Sequence, residues 1–138
     1  MNPITVHITL STPIELVWEY FTSPSHITKW CNASDTWECP LAENDVTVEG
    51  KFLTLMRAKD HSMSFPFKGT YTEVAPFEKL AYIIEDERKV TVTFEERAGD
   101  TIVTETFEPE TIHPEDQQRE GWQAILNNFK KYVESLEQ

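Results

Sequence analysis

With 138 residues, 39% of them hydrophobic and 26% charged, the chain is long enough for one real core and has the make-up of a globular domain. Twelve Lys and Arg against 24 Asp and Glu leave a formal net charge of −12, which repels nucleic acid and anionic membrane surfaces alike. No apolar run approaches the ~20 residues needed to cross a bilayer, and Cys31 and Cys39 have no Cys-x-x-Cys or His pair at zinc-ligand spacing.

Met1-Asn2-Pro3-Ile4 lacks a basic segment followed by an apolar one, so a cytoplasmic location is expected, with the two cysteines as reduced thiols rather than a disulfide. Residues 4 to 10 alternate Ile4, Val6, Ile8 and Leu10 with Thr5, His7 and Thr9, the pattern of a half-buried strand. Thr12-Pro13-Ile14-Glu15 then reads as a helix start with Thr12 as N-cap and Pro13 at the first helical position, and Ile14, Val17, Trp18 and Phe21 form its buried side. Ser23-Pro24 repeats the signal for a second short helix running to Trp30.

The middle reads as a meander. Strands are expected over 36–39, 46–48, 51–57, 65–74, 80–85, 89–97 and 101–108. Glu43-Asn44-Asp45 and Pro76 supply turns, Gly50 a bulge or twist point, and Ala98-Gly99-Asp100 a hairpin. Pro109 and Pro114 close the strand region. A long amphipathic helix follows, opening on Gly121-Trp122, with Trp122, Ile125, Leu126, Phe129, Val133 and Leu136 on one face. Gln123, Asn127, Asn128, Lys130, Lys131, Glu134 and Gln138 make its solvated face. Six or seven antiparallel strands, two early helices and one terminal helix define an α+β domain spanning 1–138. The apolar stripe needs a partner surface, and the sheet is the one available.

The segment Phe67-Lys68-Gly69-Thr70-Tyr71-Thr72-Glu73-Val74-Ala75-Pro76, with Leu80, resembles the G-x-y-x-E-v-x-P-x-x-x-L segment of the START-like, or SRPBCC, superfamily. More narrowly it looks like the branch named for the activator of the heat-shock-protein-90 ATPase. Residues 13–18, Pro24 to Trp30, and Gly121-Trp122 with Leu126 match in the same order, so the resemblance covers nearly the whole chain. It implies the helix-grip fold, a curved antiparallel sheet wrapped round the C-terminal helix with two short helices closing one end. It also implies an apolar cavity between sheet and helix that holds a small hydrophobic or amphipathic molecule such as a lipid.

Strand parity and helix periodicity nominate the lining of such a cavity: Phe52, Thr54 and Met56; Phe67 and Tyr71; Phe94; Val103, Glu105 and Phe107; Trp122, Ile125, Leu126 and Phe129, with Trp30 at the rim. The alternative is that the same side chains pack into a dry core. Glu105 is the sharpest of them. With Val103 and Phe107 inward it too points inward, where an ionised carboxylate is costly; with Ile102, Thr104 and Thr106 inward it faces water. The resemblance favours the first register, although the matching family position tends to be apolar.

His7, His26, His61 and His113 are scattered, and no phosphate loop, nucleophile elbow or carboxylate pair appears, so no catalytic residue, metal or cofactor is nominated. Three functions remain: a carrier or sensor of a small apolar molecule, an enzyme of cyclase or hydrolase type using the same cavity, and a co-chaperone stimulating the heat-shock protein 90 ATPase. The last ranks lowest, because the eukaryotic activators resemble this chain only in their later domain.

Overall fold

Strict alternation carries Ile4–Leu10 into strand β1, with Ile4, Val6, Ile8 and Leu10 buried and His7 facing solvent. The computed structural model describes residues 2–136; Gln138, expected on the solvated helix face, lies outside them. Helices α1 (Ile14–Thr22) and α2 (Pro24–Trp30) follow at once, then β2 (Trp37–Asn44), β3 (Lys51–Ala58), β4 (Ser64–Ala75), β5 (Lys79–Ile84), β6 (Lys89–Arg97), β7 (Asp100–Phe107) and α3 (Glu115–Leu136). The seven strands form one antiparallel sheet in the order β1-β7-β6-β5-β4-β3-β2, curled into a half-barrel. This is the α+β helix-grip arrangement. The N-terminal strand pairs beside the last one, Val6 opposite Glu105 and Ile8 opposite Val103, which closes the meander on its own beginning.

Turn chemistry accounts for most connections. Ala98 and Gly99 form a two-residue loop between paired Arg97 and Asp100, both with positive φ (54° and 88°), as the right-handed twist of a tight hairpin requires. Several expectations fail locally. Val46 to Val48 is loop rather than strand, with the Gly50 amide donating to the Thr47 carbonyl, and Val48 is exposed. Glu43 and Asn44, read as turn residues, end β2, because the Asn44 amide donates to the Thr22 carbonyl (2.7 Å) and its carbonyl oxygen accepts from the Tyr71 hydroxyl (2.6 Å). The N-cap of α1 is Pro13, not Thr12; Thr12 is buried and its carbonyl accepts from the Thr101 hydroxyl at 2.7 Å.

The terminal helix begins six residues before Gly121-Trp122. Its first two turns, Glu115 to Glu120, carry no apolar residue, so periodicity does not reveal them. They are tied down by Gln118, whose side-chain amide donates to the carbonyls of Glu110 (3.1 Å) and His113 (2.8 Å) and accepts from the Glu110 amide (2.9 Å). The buried stripe runs through Leu126, Phe129 and Val133, and Leu136 is exposed. Asn128, assigned to the solvated face, is half-buried and donates to the Trp30 carbonyl (2.8 Å) and Asn32 Oδ1 (3.0 Å), locking α3 to the end of α2. No helix among the described residues is long and apolar enough to cross a membrane.

Candidate functional site: a cavity between the sheet and α3

A sheet curled round a helix leaves more room than side chains fill, and a cavity of about 410 Å³ opens between the inner sheet face and the first half of α3. Strand β3 contributes Phe52, Thr54 and Met56, β4 contributes Phe67 and Tyr71, and β5 contributes Leu80 and Tyr82. Trp122 and Ile125 close it from α3, and Trp30 and Cys31 from the end of α2. Aromatic edges and faces interlock around it: Phe52 against Tyr82 (4.8 Å between centroids), Phe67 against Trp122 (6.1 Å) and Trp30 against Phe21 (5.2 Å). The exposed residues of its lining, Ala33, Glu43, Phe65, His113 and Gln117, mark where it reaches solvent. Gly121 also lines it, and a Cβ there would meet no atom within 4 Å.

Polar groups inside are few and unevenly satisfied. Tyr71 is anchored by Asn44, and burial pushes its hydroxyl up to about 12. The Thr54 hydroxyl reaches the Phe67 carbonyl at 3.5 Å. Glu105 differs. It sits between Val103 and Phe107 on β7, with Val6 and Val92 opposite on the flanking strands, and is only 8% exposed. Among the described residues no hydrogen bond or ion pair meets its carboxyl, and burial alone raises it from 4.5 to about 8. Among the described residues no fully enclosed side-chain nitrogen or oxygen lacks a partner; the Glu105 oxygens, which have none, are thus not fully enclosed, and Glu105 lines the cavity. Burial and the nearby Glu105 charge push the Tyr82 hydroxyl up. Cys31 and Cys39 are free, and the hydrogen bond with Cys39 together with burial pushes the Cys31 thiol up.

The family-model comparison gives this geometry a lineage. The model described as Activator of Hsp90 ATPase homolog 1-like protein matches residues 11–134. The chain belongs to that family. Among solved structures it is similar to protein Chr148 from Cytophaga hutchinsonii, at 47% identity over 98% of this chain and 94% of that one, with a TM-score of 0.85. It is also similar to the AHSA1-like protein from Aeromonas hydrophila, at 40% identity over 96% and 94% of the two chains and a TM-score of 0.88. DynU16, a putative protein in the dynemicin biosynthetic locus, shares the fold alone, at 16% identity and a TM-score of 0.75 over 97% of this chain and 48% of that one. No curated protein matches. The AHSA1-like, SRPBCC-type fold commonly binds hydrophobic ligands.

In this AHSA1-like chain the glycine of the family segment has a steric reason. A Cβ on Gly69 would lie 2.5 Å from the Phe52 ring and 2.9 Å from the Ile83 carbonyl, so glycine is what lets Phe52 lie across β4. Of the nominated residues, Trp30, Phe52, Thr54, Met56, Phe67, Tyr71, Glu105, Trp122 and Ile125 line the cavity. Phe94, Val103, Phe107, Leu126 and Phe129 do not. Phe94 packs under Trp18 (5.0 Å) and Phe21 (5.4 Å), and Trp122 stacks on Phe107 at 4.0 Å and covers it. Phe129 wedges against Phe21 (5.3 Å) and Trp30 (4.9 Å), while Val103 and Leu126 are sealed in the core. Trp37 lies off the cavity against Phe65. Reasoning from sequence missed Phe21, Ile27, Leu80 and Tyr82. The alternation Leu80, Tyr82, Ile84 was a usable signal for two of them.

Among the described residues no three His, Cys, Asp or Glu side chains are grouped to hold a metal ion. Arg88 lines the cavity but is engaged by Asp86 (2.7 Å) and the Glu108 carbonyl (3.0 Å). His113 bonds to Glu110, which that contact holds below the usual carboxylate range.

Proposed function

We propose that the chain is a carrier or sensor that binds a small hydrophobic or amphipathic molecule in the cavity between sheet and α3. The observation that carries this reading is a space of about 410 Å³ with an aromatic-rich lining, within the roughly 300–1,000 Å³ usual for small-molecule sites. Empty apolar volume is destabilising because its lining loses packing partners, so a chain that keeps it has a use for it or for the guest that fills it. The likeness to families whose fold commonly takes hydrophobic ligands supports the same reading.

Thermal melts of the full chain with a neutral apolar dye such as Nile red test it, since a ligand that binds only the native state raises the melting temperature by mass action. Gly121→Phe aims a ring into the lined space where a Cβ meets nothing within 4 Å. The shift should be present in the unsubstituted chain and lost in Gly121→Phe while the far-ultraviolet spectrum is unchanged. Equal shifts in both would place the dye elsewhere and end the proposal.

Catalysis in the same cavity is the second reading. One observation favours it: a carboxyl raised to about 8 by burial is a proton donor suited to neutral pH. It ranks second because no base or nucleophile is hydrogen-bonded to it.

A further inference from the structure

Charge inside the cavity is arranged against one kind of guest and for another. Its two basic lining residues, Arg88 and His113, are held by Asp86 with the Glu108 carbonyl and by Glu110. An anionic amphiphile would find no unengaged cation among the described lining residues, and it would face Glu105 inside and Glu43 at the rim. A wholly apolar guest would fill the space yet leave the Glu105 carboxyl with no partner. The wall is rich in aromatic side chains, Trp30, Phe52, Phe67, Tyr82 and Trp122 among them, with Tyr82 close enough to Glu105 to sense its charge, and ring faces attract cations. A chain of net charge −12 also concentrates cations near its surface.

We propose that the cavity selects a hydrophobic amine, whose ammonium group pairs with the Glu105 carboxyl while an aryl or alkyl body packs against the aromatic wall. This rests on the reading of the cavity as a ligand site. Glu105 then has the role that its environment denies it in the unliganded chain, since a charge-assisted hydrogen bond offsets the desolvation of both partners.

The groups facing Glu105 leave it the one that changes charge near neutral pH. Strands β1 and β6 place Val6 and Val92 opposite it, β5 and the end of α2 bring Tyr82 and Cys31 within electrostatic reach, both pushed up and neutral, and α3 adds Trp122 and Ile125 to the same cavity. Glu43, Arg88, Glu110 and His113 are the charged or titratable groups of the outer lining. A bound ammonium displaces the proton that burial holds on Glu105, so amine affinity should tighten as pH rises towards 8.

The test is calorimetric titration of the full chain with three probes on one skeleton: 4-phenylbutylamine, 4-phenylbutanol and 4-phenylbutyrate. At pH 7.5 the amine should bind at least about tenfold tighter than the alcohol, the scale of one hydrogen bond to a charged group, with the carboxylate weakest. Glu105→Gln should remove the amine's advantage and leave the alcohol's affinity within about threefold. Alcohol or carboxylate binding as tightly as the amine would overturn the amine assignment alone, and so would an amine preference that survives in Glu105→Gln. Failure of both alcohol and amine to bind would overturn the cavity reading and this inference with it. Because the three probes are compared on the unsubstituted chain, the result does not depend on the variant folding.

Discussion

Replacing Glu105 by glutamine removes a buried group whose ionisation should control stability near neutral pH. Burial raises its carboxyl from 4.5 to about 8, and each unit of pKa difference between native and unfolded chain corresponds to about 1.4 kcal/mol. Below pH 4.5 both states are protonated and the group costs nothing. Between 4.5 and 8 the unfolded chain ionises while the native one holds its proton, so the unfolded state gains steadily. Native stability from this group is therefore present at low pH and lost as pH rises through that window, reaching at most about 5 kcal/mol near pH 8. Urea denaturation of both proteins at pH 5, 6, 7 and 8 reads this directly. The amide contributes a constant offset, so the quantity to follow is the stability difference as a function of pH. Glu105→Gln should gain on the unsubstituted chain by several kcal/mol between pH 5 and pH 8. A difference that stays flat with pH would mean that Glu105 is solvated, and the inward register with its consequences would fall.

Three further outcomes follow from packing. Gly121→Ala should stabilise the chain by about 0.5–1 kcal/mol in thermal or urea melts, since Gly121 lies within a helix and an added methyl meets nothing within 4 Å. Phe129→Ala should cost about 3–5 kcal/mol in the same melts, because Phe129 is fully buried between Phe21 and Trp30; Ile125→Ala, on the cavity wall, should cost clearly less. Gln118→Ala leaves two carbonyls and an amide of the segment before α3 without their partner, and should cost about 1–3 kcal/mol. Hydrogen exchange should then speed up over 115–120 while the buried turns around Leu126 and Phe129 stay protected.

How far the sequence foretold this structure depended on whether one physical signal dominated locally. Alternation was sufficient for β1 and β7, where every second residue is buried, and for β6 as far as Phe94. It misled at Val46 to Val48, where two valines mimic a strand but the Asp45 and Gly50 amides are taken by loop bonds. Composition also misled at Asn44, a turn former whose amide is spoken for by Thr22 and Tyr71 from other elements. The polar start of α3 was invisible for a related reason: Gln118 fixes it through carbonyls of a preceding loop, and helical periodicity carries no trace of that.

The cavity itself was half legible. Inward-facing parity places Phe52, Thr54, Tyr71 and Glu105 on the concave face, but parity cannot say which inward residues touch a void and which touch one another. That depends on where the helix lies. Trp122 stacked on Phe107 removes Phe107 from the wall, and the α1 aromatics cover Phe94. Family resemblance led to the right fold and to the expectation of a cavity, but it gave no reason for a charge at position 105. The structure places that carboxyl in the cavity lining, buried and without a hydrogen-bond partner among the described residues.

The most direct measurement is a two-dimensional NMR titration of the labelled full chain with 4-phenylbutanol, which reports both whether a guest enters and where. Resonances of Ile27, Thr54, Leu80, Ile125 and the Trp122 indole should move together and saturate, while those of Val17, Val103 and Val133 in the packed core should move little. Shifts confined to the outer surface, or none at a concentration that saturates other hydrophobic sites, would contradict the claim that the space under α3 is there to be occupied.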